Sequence, residues 1–81
     1  MELKDTVEMM LSSDYKERFK AEYWQLKIRH DKLLKMLDNW YNLDFTPTCN
    51  KTTYICQLWA MEDYIAVLES RAEQEGVELN G

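Results

Sequence analysis

Basic and aromatic side chains recur between residues 15 and 35 at spacings that place many of them on one face of a helix. A purine base stacks on a tyrosine or tryptophan ring, which contributes about 1–3 kcal/mol per base. The phosphates of a nucleotide pair with lysine or arginine. The stripe therefore has the chemistry that a nucleotide ligand requires. The candidate ligand-binding residues are Tyr15, Lys16, Arg18, Lys20, Trp24 and Lys27.

The same stripe has a plainer interpretation, because exposed helix faces are usually charged and a single tryptophan can belong to a subunit interface. The formal net charge of −5 argues against binding to a nucleic-acid polymer, which requires a basic surface. Positive charge is nevertheless gathered locally, since residues 14–42 carry seven Lys and Arg against five Asp and Glu. An acidic protein with one basic segment can still bind a small anion there.

The sequence lacks the motifs of catalysis and metal binding. His30 stands in no Ser-x-His or Cys-His arrangement, which favours a packing or hydrogen-bonding role in the core. Two cysteines, Cys49 and Cys56, with one histidine fall short of the four ligands of a typical zinc site. Glycine occurs only at positions 76 and 81, so no glycine-rich phosphate loop is possible. We therefore expect a protein that is not an enzyme and that uses no cofactor and no metal.

The elements that must position the stripe are helices. Residues 14–43 contain no Gly or Pro and are predicted to form one long helix, and residues 51–75 a second. Each carries an apolar seam with alternating spacings of three and four residues, the pattern of helices that pack side by side at a shallow angle. The first seam is Phe19, Tyr23, Leu26, His30, Leu33, Leu37 and Trp40; the second is Tyr54, Leu58, Met61, Ile65, Leu68 and Ala72.

The segments around the long helices complete the expected fold. Residues 2–11 are predicted to form a short helix whose docking face is Leu3, Val7, Met10 and Leu11. Pro47 excludes a continuous helix between the two long segments. The linker there is short, so the chain must turn back on itself. The prediction is one all-α domain over residues 1–81: a short N-terminal helix plus an antiparallel two-helix hairpin, oligomeric.

Local signals refine the ends of these elements. Ser12 and Ser13 are predicted to cap the first long helix, and Thr46, Thr48 or Asn50 the second. Gly76 is predicted as the residue that ends the second helix. Within the hairpin, Leu33 and Leu37 are expected to face Met61, Ile65 or Leu68. The carboxylates Glu62, Asp63, Glu69 and Glu73 are typical of a solvated acidic face.

Composition and the N-terminus bear on assembly and location. The opening residues lack the features of a signal peptide, and no apolar run approaches the length of a membrane span. We expect a cytoplasmic protein that does not enter a membrane. Trp24, Trp59 and Tyr64 have no obvious cover in a two-helix core, which favours a homo-oligomer because large exposed aromatic patches usually mark interfaces. The alternative is that the aromatic residues simply fill the core.

The strings DYKERFKAEYWQLKIRHDKLLKML (14–37), LDFTPTC (43–49) and AMEDYIAVLESRAEQEGVEL (60–79) resemble a family of short bacteriophage proteins found in phages of Firmicutes and of gut bacteria. The architecture is similar to the helical hairpin of anti-CBASS and anti-Thoeris sponges. This resemblance implies a phage immune-evasion protein, acting in the host cytoplasm, that sequesters a cyclic nucleotide without cleaving it. It assigns base stacking to Tyr15 and phosphate contact to Lys16, through the pattern Asp14-Tyr15-Lys16-Glu17.

A second function stays open from the charges alone. Residues 51–81 carry two bases, Lys51 and Arg71, against six acids, a net of −4. Such an acidic helix can occupy a basic nucleic-acid channel, as an anti-CRISPR-like inhibitor of a host defence protein would. A structural or assembly helper is a third possibility.

Overall fold

A computed structural model of the chain describes residues 1–80 and is all-α. The first turn, Leu3–Thr6, is a 3-10 helix that continues into α1, Val7–Met10. Helix α2 spans Tyr15–Asp38, a second 3-10 turn spans Trp40–Asn42, and α3 spans Lys51–Glu75. No strand occurs within residues 1–80, so the predicted all-α class is confirmed.

Helix α2 is capped and ended by residues that differ from those predicted. The cap is Asp14, whose carboxylate accepts a hydrogen bond from the Lys16 amide at 3.0 Å, and Ser12 accepts from the Asp14 amide instead. A carboxylate is favourable here because it offsets the positive end of the helix dipole. The helix ends at Asp38 and not at Leu43. Asn39 turns its side-chain amide onto the Lys35 carbonyl at 2.8 Å, and the chain tightens into a 3-10 turn.

The ends of α3 follow the predictions closely. Asn50, one of the three predicted caps, accepts a hydrogen bond from the Thr53 amide at 2.8 Å. Gly76 ends the helix with a φ of 69°, a left-handed conformation that glycine adopts without steric cost. The Val77 amide then donates to the Ala72 carbonyl at 2.8 Å. This turn folds the tail back, so that Val77 is buried.

The core lies where the start of α2 meets the end of α3. It consists of Phe19, Tyr23, Ile65, Leu68, Ala72 and Val77, with Trp24, Leu26 and Leu79 packed against it. Leu33 and Leu37 are only half-buried and take no part in this cluster. Ile65 and Leu68 pack with Phe19 and Tyr23 instead, so the expected contacts of Leu33 and Leu37 with these two residues are wrong, and the expected contact with Met61 stays a prediction.

Polar contacts beside the core fix the register of α2 on α3. The Tyr15 hydroxyl donates to Glu75, and the Tyr23 hydroxyl donates to Glu69 at 3.2 Å. The His30 ring contacts Glu62 at 2.9 Å. Residue numbers thus rise along α2 as they fall along α3. Glu62 and Glu69 are exposed, as predicted for a solvated acidic face, and they also accept hydrogen bonds across the helix pair.

The N-terminal segment docks on α2 through a face other than the one predicted. Val7, Met10 and Leu11 are exposed, Leu11 to 81%. Thr6 is fully buried, and its neighbours at spacings of three, Leu3 and Met9, are half-buried. The reason is the 3-10 turn at Leu3–Thr6, because three residues per turn shift the phase of the buried positions away from the α-helical pattern.

The chain is elongated and exposes more surface than a compact monomer of its size. Its radius of gyration is 14.7 Å, against about 12 Å for a compact domain of this length. Its accessible surface is 5827 Å², against about 5,200 Å² for a typical monomer of this mass. Within residues 1–80, none of the helices has the length and apolar character needed to cross a bilayer.

Candidate ligand-binding site

A cluster of polar side chains forms where the N-terminus of α2 meets the C-terminus of α3. It comprises Tyr15, Lys16, Arg71 and Glu75, and we call it the Tyr15 cluster. The Tyr15 hydroxyl donates to Glu75 at 2.7 Å and accepts from the Arg71 guanidinium at 2.7 Å. Arg71 also donates to Glu75 at 3.0 Å, and Lys16 donates to the Gly76 carbonyl at 3.3 Å. Because residue numbers rise along α2 as they fall along α3, the cluster brings together residues that are about 60 positions apart.

Packing beneath the cluster fixes the position of Arg71. Its guanidinium carbon lies 4.9 Å from the centroid of the Phe19 ring, within the range of a cation–π contact. The Tyr15 ring also meets Phe19, with centroids 6.2 Å apart and the ring planes tilted by 57°. Because Phe19 is buried in the core, the cluster lies directly on the core.

The protonation states of the cluster follow from these contacts. The hydrogen bond to Glu75, together with burial, raises the pKa of Tyr15, so its hydroxyl stays a donor at neutral pH. The hydrogen bonds from Tyr15 and Arg71 lower the pKa of Glu75. The hydrogen bond to Glu75 raises the pKa of Arg71. At neutral pH the cluster thus contains two cations and one carboxylate, with the Tyr15 side chain 47% exposed.

Displacement of Glu75 is one route by which an anion would enter this arrangement. A phosphate oxygen has the same hydrogen-bonding capacity as the Glu75 carboxylate, and a guanidinium can bind either group through two parallel bonds. A phosphate that displaces Glu75 would be held by Arg71 and Lys16. The exposed Tyr15 ring would then be available for a base to stack on it.

The other predicted site residues do not converge on this cluster. Arg18 donates to the Ser12 carbonyl at 2.9 Å and so holds the turn before α2. Lys20 pairs with Glu17 at 3.5 Å, and Lys27 pairs with Asp31 at 3.7 Å. Lys27 stands twelve residues beyond Tyr15, or roughly 18 Å along the helix axis. Of the predicted stripe, Tyr15 and Lys16 belong to the cluster, and these other basic residues each make a separate local contact.

Trp24 is covered by the chain itself. Its indole N–H donates to the Leu79 carbonyl at 2.9 Å, and its ring meets Tyr23 edge-on with centroids 5.3 Å apart. The expectation that Trp24 lacks cover is therefore wrong, because the tail folds back after Gly76 and packs over it. Trp59 and Tyr64, in contrast, are exposed as expected.

Arg71 and Glu75 are the members of the cluster that sequence reasoning missed as site residues. Arg71 stands among acidic residues on α3, and it lies outside the basic segment that drew attention to α2. The predicted ends of the two helices already indicated that Arg71 and Glu75 lie near Tyr15. A hairpin whose first helix starts near residue 14 and whose second ends near residue 75 must bring Tyr15 to the end of α3.

A second polar cluster surrounds His30, which is 6% exposed. Its two ring nitrogens lie 2.9 Å from carboxylate oxygens of Asp31 and Glu62. Burial disfavours the charged ring, but the hydrogen bonds to Glu62 and Asp31 outweigh it and raise the pKa of His30. The predicted hydrogen-bonding role of this residue in the core is confirmed.

Residues suited to metal binding are scattered in the structure. Cys49 and Cys56 are exposed free thiols. Across residues 1–80, no group of three or more His, Cys, Asp or Glu side chains is arranged to hold a metal ion.

Fold and cluster together describe a small all-α chain with exposed cations and an aromatic ring fixed over its core, an arrangement suited to binding. A family model described as Sequestin matches residues 13–74, and the chain belongs to this family. The matched region includes Tyr15, Lys16 and Arg71. The name of the family fits a sequestering function. Neither a curated protein nor a solved structure matches the chain.

Proposed function

We propose that this chain is a phage immune-evasion protein that sequesters a cyclic nucleotide defence signal without cleaving it. The observation that carries the proposal is the Tyr15 cluster in a chain of the Sequestin family. Arg71 and Lys16 supply the cations for a phosphate, and the exposed Tyr15 ring supplies a surface for a base. The cluster offers binding groups alone, and binding is all that sequestration requires.

The proposed site is the meeting point of an antiparallel hairpin. The cations there are needed because the whole chain carries a net charge of −5, which repels a nucleotide at long range. Attraction must therefore come from short contacts. Binding should weaken as salt screens the charges, and Lys16→Glu should reduce both the affinity and its salt dependence.

We propose in addition that the chain acts as a homo-oligomer. Trp59 is 61% exposed and Val67 is 55% exposed on the outer side of α3. Tyr64 is 44% exposed, with its hydroxyl donating to Glu22 of α2. The chain exposes about 600 Å² more than a typical monomer of its mass, and a standard interface buries about 800 Å² per partner. A second copy covering this face of α3 would bring the surface to a normal value.

The test is a release experiment on the purified chain. The chain is incubated with a panel of cyclic nucleotides, the free ligand is removed, and the protein is then heated to unfold it. We expect at least one ligand to raise the melting temperature and to be recovered chemically intact after heating. A panel in which no member stabilises the protein contradicts the proposal, and so does recovery of a cleaved ligand.

The outer face of α3 favours one alternative. Residues 51–81 carry a net charge of −4, and this acidic segment exposes Trp59 and Val67. A protein–protein inhibitor would use such a face to occupy a basic channel of a host defence protein. Charge-reversing variants on α3 would then abolish inhibition in infected cells, while Tyr15→Ala would leave it intact.

A further inference from the structure

A groove separate from the Tyr15 cluster runs between the first turn of the chain and α2. Its volume is about 370 Å³, and it is open to solvent on one side. Its lining residues are Met1, Glu2, Leu3, Lys4, Ile28 and Lys32. None of them belongs to the Tyr15 cluster.

Hydrogen bonds hold the wall of the groove in place. The fully buried Thr6 hydroxyl donates to the Leu3 carbonyl at 2.7 Å and accepts from the Gln25 side chain at 3.1 Å. Asp5 closes the first turn, because its carboxylate accepts from the Glu2 amide at 2.9 Å. The short N-terminal segment is thus tied to α2 by its polar groups as well as by packing.

The chemistry of the lining is that of an amphipathic site. Met1, Leu3 and Ile28 supply apolar surface. Lys4 pairs with Glu2 at 3.4 Å, whereas Lys32 makes no ion pair with any residue in the described range 1–80. The charges of the three ionisable side chains sum to +1, in a chain whose net charge is −5. The positive charge of the lining favours an anion at this groove.

We propose that this groove is a second binding site, which takes an anion the size of one nucleotide. A flat ring would pack against Leu3 and Ile28, and a phosphate would pair with Lys32 and Lys4. Small-molecule sites in proteins have volumes of about 300–1,000 Å³, so this groove has room for one ring system and one phosphate. The proposal rests on the groove alone and does not require the Tyr15 cluster to bind anything.

The test is a titration of the ¹⁵N-labelled full chain, followed by amide chemical shifts. The probes are adenosine 5′-monophosphate, adenosine 3′,5′-cyclic monophosphate and inorganic phosphate. We expect saturable shifts at the amides of Leu3, Ile28 and Lys32 with at least one nucleotide. Phosphate alone should bind more weakly, because it lacks the ring.

Two charge reversals on α2 provide the matched comparison. Lys32→Glu should weaken nucleotide binding roughly tenfold or more, because it replaces the cation at the phosphate with an anion. Lys35→Glu changes the net charge equally at an exposed position outside the groove, and it should have little effect. Circular dichroism melts of both variants show whether they stay folded.

Three results would overturn the groove proposal. The first is the absence of saturable shifts at these amides with both nucleotides, and the second is equal weakening by Lys32→Glu and Lys35→Glu. The third is nucleotide binding that Tyr15→Ala abolishes and Lys32→Glu leaves unchanged; that result would leave the proposed sequestration at the Tyr15 cluster standing. Conversely, shifts at the groove amides that survive Tyr15→Ala support the groove independently of the sequestration proposal.

Discussion

Tyr15 has two separable parts in the structure, a hydroxyl bound within the chain and a ring that is half exposed. The hydroxyl links Arg71 to Glu75 and so helps to hold the end of α3 against the start of α2. The ring is available for stacking. A single substitution to alanine removes both contributions, but a substitution to phenylalanine removes only the first.

Tyr15→Phe and Tyr15→Ala should therefore differ in ligand binding. We expect Tyr15→Phe to keep most of the affinity for the proposed cyclic nucleotide ligand, because the ring remains, and Tyr15→Ala to lose roughly tenfold or more with the stacking contact. Isothermal titration calorimetry measures both, with Tyr41→Ala as the control, since Tyr41 is an exposed tyrosine in the turn after α2. Equal losses for Tyr15→Phe and Tyr15→Ala would mean that the hydroxyl matters and the ring does not.

His30 should make folding stability depend on pH. Its pKa is raised in the folded chain, so its stabilising contribution is fully present below the pKa of the unfolded chain, about 6.5. The contribution is lost as the pH rises through the higher folded value. The effect is modest, because Glu62 and Asp31 are exposed to solvent.

The measurement for His30 is urea unfolding at pH 6 and at pH 8, for the wild type and for His30→Gln. We expect the wild type to lose more stability between these two values than the variant does. The lowered pKa of Glu75 does not interfere, because that carboxylate is ionised throughout this range. An identical loss in both proteins would show that His30 is not the titrating group.

The packing of α2 on α3 is uneven along the pair, and this should appear in the stability of core variants. Leu68 is 0% exposed, so Leu68→Ala should cost about 2–5 kcal/mol of unfolding free energy. Leu37→Ala should cost clearly less, because Leu37 is half-buried and outside the core cluster. Denaturant unfolding at one fixed protein concentration makes the comparison. Similar costs at both positions would contradict the location of the core.

The helices were largely predictable from sequence, because their interiors lack Gly and Pro and their apolar seams are regular. The C-terminal end of α2 was not predictable, since the sequence Trp40-Tyr41-Asn42 is compatible both with a longer helix and with a turn. The Asn39 side chain ends the helix by donating to the Lys35 carbonyl. The docking face of the N-terminal segment was wrong because a 3-10 turn has a different period.

The candidate site was predictable only in part. Tyr15 and Lys16 were found from their types and their place at a helix start. Arg71 was missed as a partner because the pairing of α2 with α3 depends on contacts such as that of Tyr23 with Glu69, which join positions far apart in sequence. Trp24 was misjudged because the fold of a short tail after a helix is set by tertiary packing, which leaves little local signal.

At the scale of the whole molecule, the exposed face of α3 predicts assembly. Light scattering at micromolar concentration should give the mass of two or more chains of 9.8 kDa each. Trp59→Lys and Val67→Lys should shift the protein towards the monomer, because each places a charge in an apolar interface. Tyr41→Lys is the control, as it changes an exposed aromatic residue in the turn. A wild-type mass of one chain would contradict the prediction.

The position of the core at the open end of the helix pair has a consequence for the order in which the chain folds. Tyr23 and Glu69, which lie beside the core, are 46 residues apart, whereas the residues near the connecting turn are close in sequence but weakly buried. Folding that starts at the turn gains little stabilisation from apolar burial until the start of α2 meets the end of α3. The entropy of closing a long loop must therefore be lost before most apolar surface is buried. Such a chain should fold more slowly than a helical hairpin of equal length whose apolar residues cluster beside its turn.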